Sequence, residues 1–249
     1  MRYAIYFAAA ADDQLMQLGN SWLGRDPFSG DGLTQPALSG LNAESFRDLT
    51  SSPRRYGFHG TLKAPFSRHR DTDEAALIRA CEELARTIAP YEIQGLSVNR
   101  LGKFLALTPD QQEPSLSAFA ALCVRHFERY RAPLSDADLA RRRQSNLTPK
   151  QDAYVAEWGY PYVFDEFRFH MTLSNKLDDE RQADLLAAAA RSHFETVTGR
   201  PRICRTFALY TEPERGAPFD VHTVFDLTGD IPPLEAGISD DRLTPKETA

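Results

Sequence analysis

The stretch Phe58-His59-Gly60-Thr61-Leu62 recurs in the second half of the chain as Phe169-His170-Met171-Thr172-Leu173. Both stretches have the form Phe-His-x-Thr-Leu, in which apolar and polar residues alternate. Because successive side chains of a strand point to opposite faces of a sheet, this alternation predicts a β-strand in each case. One face of each strand carries Phe and Leu towards a core. The opposite face presents a histidine and a threonine two residues apart.

The same succession of elements follows each of these strands. Hydrophobic spacing predicts one helix and two strands after the first motif, over residues 73–88, 93–98 and 104–107. It predicts the same after the second motif, over residues 178–194, 203–210 and 221–227. Such self-similarity predicts a duplicated β-α-β-β unit. We therefore expect an α+β fold built from two such units.

The remaining segments complete one predicted domain over residues 1–228, with lobe-forming repeats at about 56–110 and 165–228. The alternation of Tyr3, Ile5 and Phe7 with polar or small neighbours predicts a first strand. Residues 24–53 are rich in Gly, Ser, Pro and Asp, which predicts an irregular surface segment that could act as a lid. A helical insertion is predicted at about 114–160, and a loosely ordered tail at 229–249.

Composition and the absence of certain motifs disfavour several kinds of partner, location and binding site. The 249 residues include 29 Lys plus Arg and 35 Asp plus Glu, a net charge of −6, which disfavours a long nucleic-acid partner. Three dispersed cysteines favour a reducing compartment, so we expect a cytoplasmic protein. No apolar run is long enough for a membrane span. Neither a zinc motif nor a glycine-rich nucleotide loop is present, and no pattern specifies an oligomeric state.

A pair of imidazoles suits phosphodiester cleavage. With an ordinary pKa near 6.5, one histidine can accept the proton of the attacking group while the other protonates the departing alkoxide. Thr61 and Thr172 can donate hydrogen bonds to non-bridging phosphate oxygens. A cation flanks each motif, Lys63 after the first and Arg168 before the second, and each could stabilise negative charge. This scheme requires no metal and no cofactor.

Four stretches resemble the 2H phosphoesterase superfamily, and among its members a family encoded near carbon–phosphorus lyase genes in bacterial phosphonate operons. They are Arg55-Tyr56-Gly57-Phe58-His59-Gly60-Thr61-Leu62-Lys63-Ala64-Pro65-Phe66, Leu147-Thr148-Pro149-Lys150-Gln151, Trp158-Gly159-Tyr160-Pro161-Tyr162-Val163 and Phe167-Arg168-Phe169-His170-Met171-Thr172-Leu173. The resemblance covers residues 1 to about 230. It implies an α+β fold, bilobal and pseudo-symmetric around a central cleft, and 2′,3′-cyclic or related phosphodiester chemistry. It also implies that His59 and His170 are the acid–base pair and that Thr61 and Thr172 hold the phosphate.

The resulting hypothesis is a metal-independent phosphodiesterase that hydrolyses a small cyclic phosphodiester, a cyclic ribose phosphate or another intermediate of phosphonate catabolism. Arg55 and Tyr6 are further candidates for binding phosphate, although core packing is an alternative role for Tyr6. The run Arg141-Arg142-Arg143 could hold a second phosphate or form a solvated helix end. Two other functions stay open: a non-catalytic binder of a phosphorylated metabolite, and processing or ligation of RNA 2′,3′-cyclic phosphate ends.

Overall fold

A computed structural model describes residues 1–236 of the chain. Its strands are β1 (Arg2–Phe7), β2 (Gly60–Phe66), β3 (Tyr91–Ile93), β4 (Leu96–Leu101), β5 (Phe104–Pro109), β6 (Met171–Thr172), β7 (Arg202–Cys204), β8 (Thr206–Glu212) and β9 (Asp220–Asp226). Its α-helices are α1 (Gln14–Leu23), α2 (Ala43–Leu49), α3 (Ser51–Tyr56), α4 (Glu74–Thr87), α5 (Pro114–His126), α6 (Asp136–Arg143), α7 (Pro149–Trp158), α8 (Glu180–His193) and α9 (Pro233–Ala236). The predicted α+β class is confirmed.

Seven strands form one antiparallel sheet in the order β4-β5-β6-β2-β1-β8-β9, while β3 and β7 form a separate two-stranded sheet. The predicted repeats interleave in the large sheet. Strands β4 and β5 belong to the first repeat but lie next to β6, the histidine strand of the second repeat. Strands β8 and β9 belong to the second repeat but lie on the side of β2, the histidine strand of the first repeat, with β1 between them. Strands of the two predicted lobe-forming repeats, residues 56–110 and 165–228, are thus exchanged across the centre of the sheet. Interleaving pairs both edges of each histidine strand, whose backbone groups would otherwise lack hydrogen-bond partners.

The helices that follow the two histidine strands are built alike. Helix α4 begins after Asp73, whose side chain accepts a hydrogen bond from the Ala76 amide. Helix α8 begins after Asp179, whose side chain accepts one from the Gln182 amide. Each helix buries one face with helical periodicity. The buried residues are Leu77, Ala80, Cys81, Leu84 and Ala85 in α4, and Ala183, Leu186, Ala187 and Ala190 in α8. This equivalence supports the predicted duplication of the β-α-β-β unit.

Residues 24–53 are more regular than their composition predicts. They contain α2 and the start of α3, and the Asn42 side chain caps α2 by accepting a hydrogen bond from the Ser45 amide. Phe46 is 1% exposed and packs edge-on against Trp22, which fixes α2 to the core. The expectation of an irregular segment agrees with residues 24–42, which have only turns and isolated bridges. It is wrong for residues 43–53, because a cap and one buried aromatic side chain are enough to order a short helix.

The predicted tail, residues 229–249, is ordered in its first part. The Gly229 amide donates to the Ile88 carbonyl, the Ala89 amide donates to the Ile231 carbonyl, and α9 buries Pro233 and Ala236. Backbone pairing with the end of α4 accounts for this difference from the prediction. Residues 237–249 lie outside the described part of the chain.

Candidate active site

The two motifs meet where β2 pairs with β6. This antiparallel contact joins Gly60 to Met171. Counting outward in antiparallel register places His59 opposite Thr172 and Thr61 opposite His170, and residues opposite each other share a face. Each histidine therefore faces the threonine of the other motif. Gly60 permits the close approach, since a Cβ there would lie 2.3 Å from the Phe169 ring.

His59 is held in one tautomer by its own backbone. Its Nδ1 donates to the Gly57 carbonyl at 2.8 Å, which leaves Nε2 as the acceptor, 3.3 Å from the Thr61 hydroxyl. Burial of the ring lowers the pKa of His59 to about 4; the hydrogen bond to Gly57 opposes this shift, and the charge of His170 adds to it. His59 is consequently neutral at pH 7, with a lone pair available on Nε2.

His170 repeats this arrangement. Its Nδ1 lies 2.8 Å from the carbonyl oxygen of Arg168, two residues earlier, as His59 does with Gly57. The Phe104 ring lies beside it, with ring centroids 5.7 Å apart. Both histidines therefore use Nδ1 for the backbone and keep Nε2 for other partners, which is the arrangement expected of a symmetric pair.

Three adjoining cavities surround the pair, and we name them after their position. The central cavity, of about 580 Å³, is lined by His59, Thr61 and Thr172. The His170 cavity is lined by His170, Thr61 and Arg168. The Asn175 cavity is lined by His59, Thr172 and Asn175. The three cavities adjoin at the motif side chains, because Thr61 lines the central and His170 cavities while Thr172 and His59 line the central and Asn175 cavities. The volume of the central cavity is usual for small ligands.

Gly57 determines where His59 points. Its φ of +75° and ψ of 163° are accessible to glycine and strained for other residues. A Cβ there would also lie 2.8 Å from the Cβ of Pro27. This conformation ends α3 and aims the Gly57 carbonyl at the His59 ring.

Lys63 does not lie where the sequence predicts. The strand pairs are Ile5 with Lys63 and Tyr6 with Thr61, so β2 bulges by one residue at Leu62. The bulge breaks the alternation and turns Lys63 to the face opposite Thr61. There its ammonium donates to the Val124 carbonyl and to Glu128, both at 2.8 Å. The prediction that Lys63 flanks the phosphate is corrected, because this cation is only 3% exposed and already paired.

The other predicted cations lie at the cleft. Arg168 is exposed and lines the His170 cavity. Arg55 lines the central cavity, packs over the Tyr56 ring at 4.1 Å and donates to Glu212 at 3.0 Å. Tyr56 ends α3 instead of belonging to the histidine strand, and it also lines the central cavity.

Tyr6 combines packing with a place in the site. It is 1% exposed, lines the central cavity and stacks on the His59 ring. Sequence reasoning missed other residues of this cavity, namely Arg2, Tyr160 and Arg215. The sequence could have indicated Arg2, since the alternation along the first strand places it on the same face as Tyr6. Tyr160 lies within a motif that carries the family resemblance, whereas Arg215 lies in a loop without any pattern.

Residues 1–236 contain neither a metal-binding cluster nor a membrane-spanning helix. No three or more His, Cys, Asp or Glu side chains are grouped there in a way that could hold a metal ion. No helix of this part of the chain has the length and apolar character needed to cross a bilayer. All three cysteines, Cys81, Cys123 and Cys204, are buried and free.

Comparison with known proteins assigns the family. A family model described as "Protein of unknown function (DUF1045)" matches residues 61–220. The chain belongs to this family. Residues 61–220 of this DUF1045 protein include Thr61, Thr172 and His170, whereas His59 lies two positions before the matched region.

Two curated relatives of this DUF1045 protein are named ribose 1,5-bisphosphate phosphokinase PhnN. The protein from Janthinobacterium sp. (strain Marseille) is 36% identical over 222 residues, which cover 88% of this chain and 49% of the relative. The protein from Laribacter hongkongensis (strain HLHK9) is 34% identical over 219 residues, which cover 88% of this chain and 50% of the relative. The chain spans about half the length of the curated relatives it matches.

Several solved structures are similar to this DUF1045 protein at low identity. TT0787 of Thermus thermophilus has 14% identity and a TM-score of 0.44, over 93% of this chain and 100% of that one. E. coli LigT complexed with 3′-AMP has 12% identity and a TM-score of 0.45, over 91% and 98%. A protein described as a phosphoesterase has 11% identity and a TM-score of 0.42, over 91% and 98%.

Proposed function

We propose that this chain is a phosphodiesterase that hydrolyses a small cyclic phosphodiester by acid–base catalysis between His59 and His170. The observation that carries the proposal is the Gly60–Met171 pairing. It directs two matched His-x-Thr motifs onto one cleft, each with Nδ1 tied to a carbonyl. In the proposal, the two Nε2 atoms act on one phosphodiester bound between them, as its cleavage and protonation require.

The two histidines take different roles in this proposal. His59 is neutral at pH 7, since its pKa is lowered to about 4 by burial, so it is the base. Its Nε2 accepts a proton from the attacking water while the water oxygen bonds to phosphorus. His170 is the acid: its Nε2 gives a proton to the ring oxygen as the P–O bond breaks. Thr61 and Thr172 donate hydrogen bonds to the non-bridging oxygens. Proton exchange with solvent resets both rings, and no step of the scheme uses a metal.

The proposed substrate class is a cyclic ribose phosphate. Both curated relatives are named for a kinase of ribose 1,5-bisphosphate, and this name supports a phosphorylated pentose as the ligand. That name belongs to proteins about twice as long as the matched region. The present sequence contains no GxxxxGK[ST] segment to hold the phosphates of a nucleotide, so we propose the phosphodiesterase reaction and not the kinase reaction for this chain.

The test is an assay of His59→Ala and His170→Ala with the 1,2- and 2,3-cyclic phosphates of ribose, followed by phosphorus NMR with a chelator present. Those are the two five-membered rings that neighbouring ribose hydroxyls can form. We expect each variant to lose about 100- to 10,000-fold in kcat. His222→Ala is the matched control, because His222 is exposed and contacts Glu74 and Thr223 away from the cleft. Retained turnover in both variants overturns the proposal, and tight binding without wild-type turnover would favour a binding protein.

A further inference from the structure

Positive charge is concentrated in the lining of the central cavity. Five arginines line it: Arg2, Arg55, Arg141, Arg142 and Arg215. None of the described residues lining this cavity is acidic. The whole chain has a net charge of −6, so this cluster departs from the general charge of the molecule. We call these five residues the arginine cluster.

The arginine cluster is assembled from separate parts of the chain. Arg2 lies in β1 and Arg55 in α3, while Arg141 and Arg142 lie in the last turn of α6. Arg215 follows β8. Four segments far apart in sequence thus bring guanidinium groups to one cavity, which distinguishes the cluster from a solvated helix end.

Two carboxylates form ion pairs with four of these arginines. Glu212 is fully buried and binds both Arg2 and Arg55. Hydrogen bonds and the positive charge of its arginines hold the pKa of Glu212 below its usual range, although burial alone would raise it. The second carboxylate, Asp138, binds both Arg141 and Arg215. Five guanidinium groups therefore share two carboxylates, and three positive charges stay uncompensated.

Arg142 is the clearest case of an uncompensated cation. It is half-buried, lies over the Tyr160 ring at 5.1 Å, and forms no ion pair within residues 1–236. Burial lowers the pKa of Arg142, and the neighbouring charges of Arg141 and Arg2 lower it further, against the raising effects of Tyr160 and of the more distant Asp138 carboxylate. A partly desolvated cation among like charges is unfavourable unless an anion joins it.

Tyr6 is a further polar residue in the lining of this cavity. Tyr6 is only 1% exposed, and its ring stacks on the His59 ring. The cavity that Tyr6 lines also contains His59 and Thr172. One cavity is therefore lined both by residues of the histidine motifs and by the arginines, which suits a ligand that contacts both groups.

We propose that the arginine cluster binds a second phosphate of the ligand, so that the substrate is a cyclic phosphodiester carrying a terminal phosphate monoester. The position of the reacting phosphodiester in this inference rests on the proposed function. A monoester carries nearly two negative charges at pH 7, and guanidinium groups bind such oxygens through paired, charge-assisted hydrogen bonds. A neutral sugar or base would leave the uncompensated charges as they are.

The experiment compares cyclic ribose phosphates with and without a 5-phosphate. Binding is measured by calorimetry on His170→Ala, which tests the arginine cluster independently of turnover, and kcat/KM is measured on the wild type. We expect the 5-phosphate to tighten binding and raise kcat/KM by about 10- to 100-fold. Arg142→Ala should reduce this ratio to near one. Arg143→Ala is the matched control, because Arg143 is exposed, pairs with Asp152 and does not line the cavity.

The outcomes separate this inference from the proposed function. Equal binding and equal turnover of both ligands overturn the second-phosphate inference and leave the phosphodiesterase in place. A 5-phosphate preference that Arg142→Ala removes, without turnover by the wild type, supports the inference and overturns the catalytic proposal. A preference for a dinucleotide with a 2′,3′-cyclic end over the 5-phosphorylated sugar overturns the inference in favour of an RNA end. No binding of any ligand overturns both.

Discussion

The ring of Tyr6 stacks on the imidazole of His59, with centroids 3.7 Å apart and planes inclined by 16°. The contact follows from strand register, because Tyr6 pairs with Thr61 across β1 and β2, next to His59. One face of the imidazole is thereby covered by an aromatic ring that is itself 1% exposed. The stack contributes to the desolvation that keeps His59 neutral, and this role can be measured.

Replacing Tyr6 by Leu should raise the pKa of His59 from about 4 towards its ordinary value, by about one unit or more. The physical reason is that water regains access to one face of the ring and solvates its charged form. The measurement is an NMR titration of the His59 ring protons. Tyr6→Phe is the control, since it retains the aromatic ring and should leave the pKa of His59 unchanged. An unchanged titration in Tyr6→Leu would show that the stack does not set this pKa.

The histidine motifs could be predicted because they depend on local geometry. In a strand, residues two apart share a face, so His59 with Thr61 and His170 with Thr172 follow from the sequence alone. Helices α4 and α8 were predictable for a similar reason, since each has an aspartate cap followed by a periodic apolar face. The repeated order of elements then indicated two units.

Other features depend on contacts that a local pattern does not contain. The bulge at Leu62 arises from the pairing of β2 with β1, and it reverses the face of Lys63. The arginine cluster depends on how α6 and the loop after β8 meet at the cavity, where Asp138 binds Arg215. The interleaving of the repeats likewise depends on which hairpin pairs with which histidine strand. The bulge, the arginine cluster and the interleaving therefore depend on long-range pairing and packing, which local sequence patterns do not specify.

The free energy of unfolding should depend on pH through His59. The folded pKa, about 4, lies below the ordinary 6.5, so the unfolded chain binds more protons at this site between those values. Stability from this group is therefore complete above pH 6.5 and decreases as the pH falls towards 4. The expected loss is roughly 3 kcal/mol at pH 4.

Urea unfolding of the wild type and His59→Gln from pH 7 to pH 4 measures this dependence. Gln has no titrating group, and all other groups are common to both proteins. The wild type should lose stability relative to His59→Gln as the pH falls. A difference that stays constant over this range would contradict the lowered pKa.

Gly57 should be more sensitive to substitution than another glycine with a positive φ. Gly57→Ala introduces backbone strain and a contact of 2.8 Å between the new Cβ and Pro27. We expect a loss of about 2–3 kcal/mol in stability and a fall in kcat beyond what unfolding explains, because the Gly57 carbonyl orients His59. Gly199→Ala is the control, with φ of +63° and no atom within 4 Å of the added Cβ. Gly199→Ala should lower the free energy of unfolding by about 1 kcal/mol and leave kcat unchanged. Equal effects of the two variants on kcat would remove the positioning role of Gly57.

Lys63 provides a test of the bulge in β2. Its ammonium pairs with Glu128, on the face opposite Thr61, and Glu128 also binds Arg131. Lys63→Met should therefore lower the free energy of unfolding by about 1–2 kcal/mol, less than for a buried carboxylate left without any partner. We expect kcat/KM to change less than threefold, since Lys63 lines none of the three cavities around the histidines and its ammonium is already paired with Glu128. Thermal unfolding and the phosphorus NMR assay give both quantities on the same preparations. If a folded Lys63→Met protein loses a hundredfold or more in kcat/KM, Lys63 takes part in phosphate binding. That outcome would agree with strict alternation along β2 and would contradict the bulge.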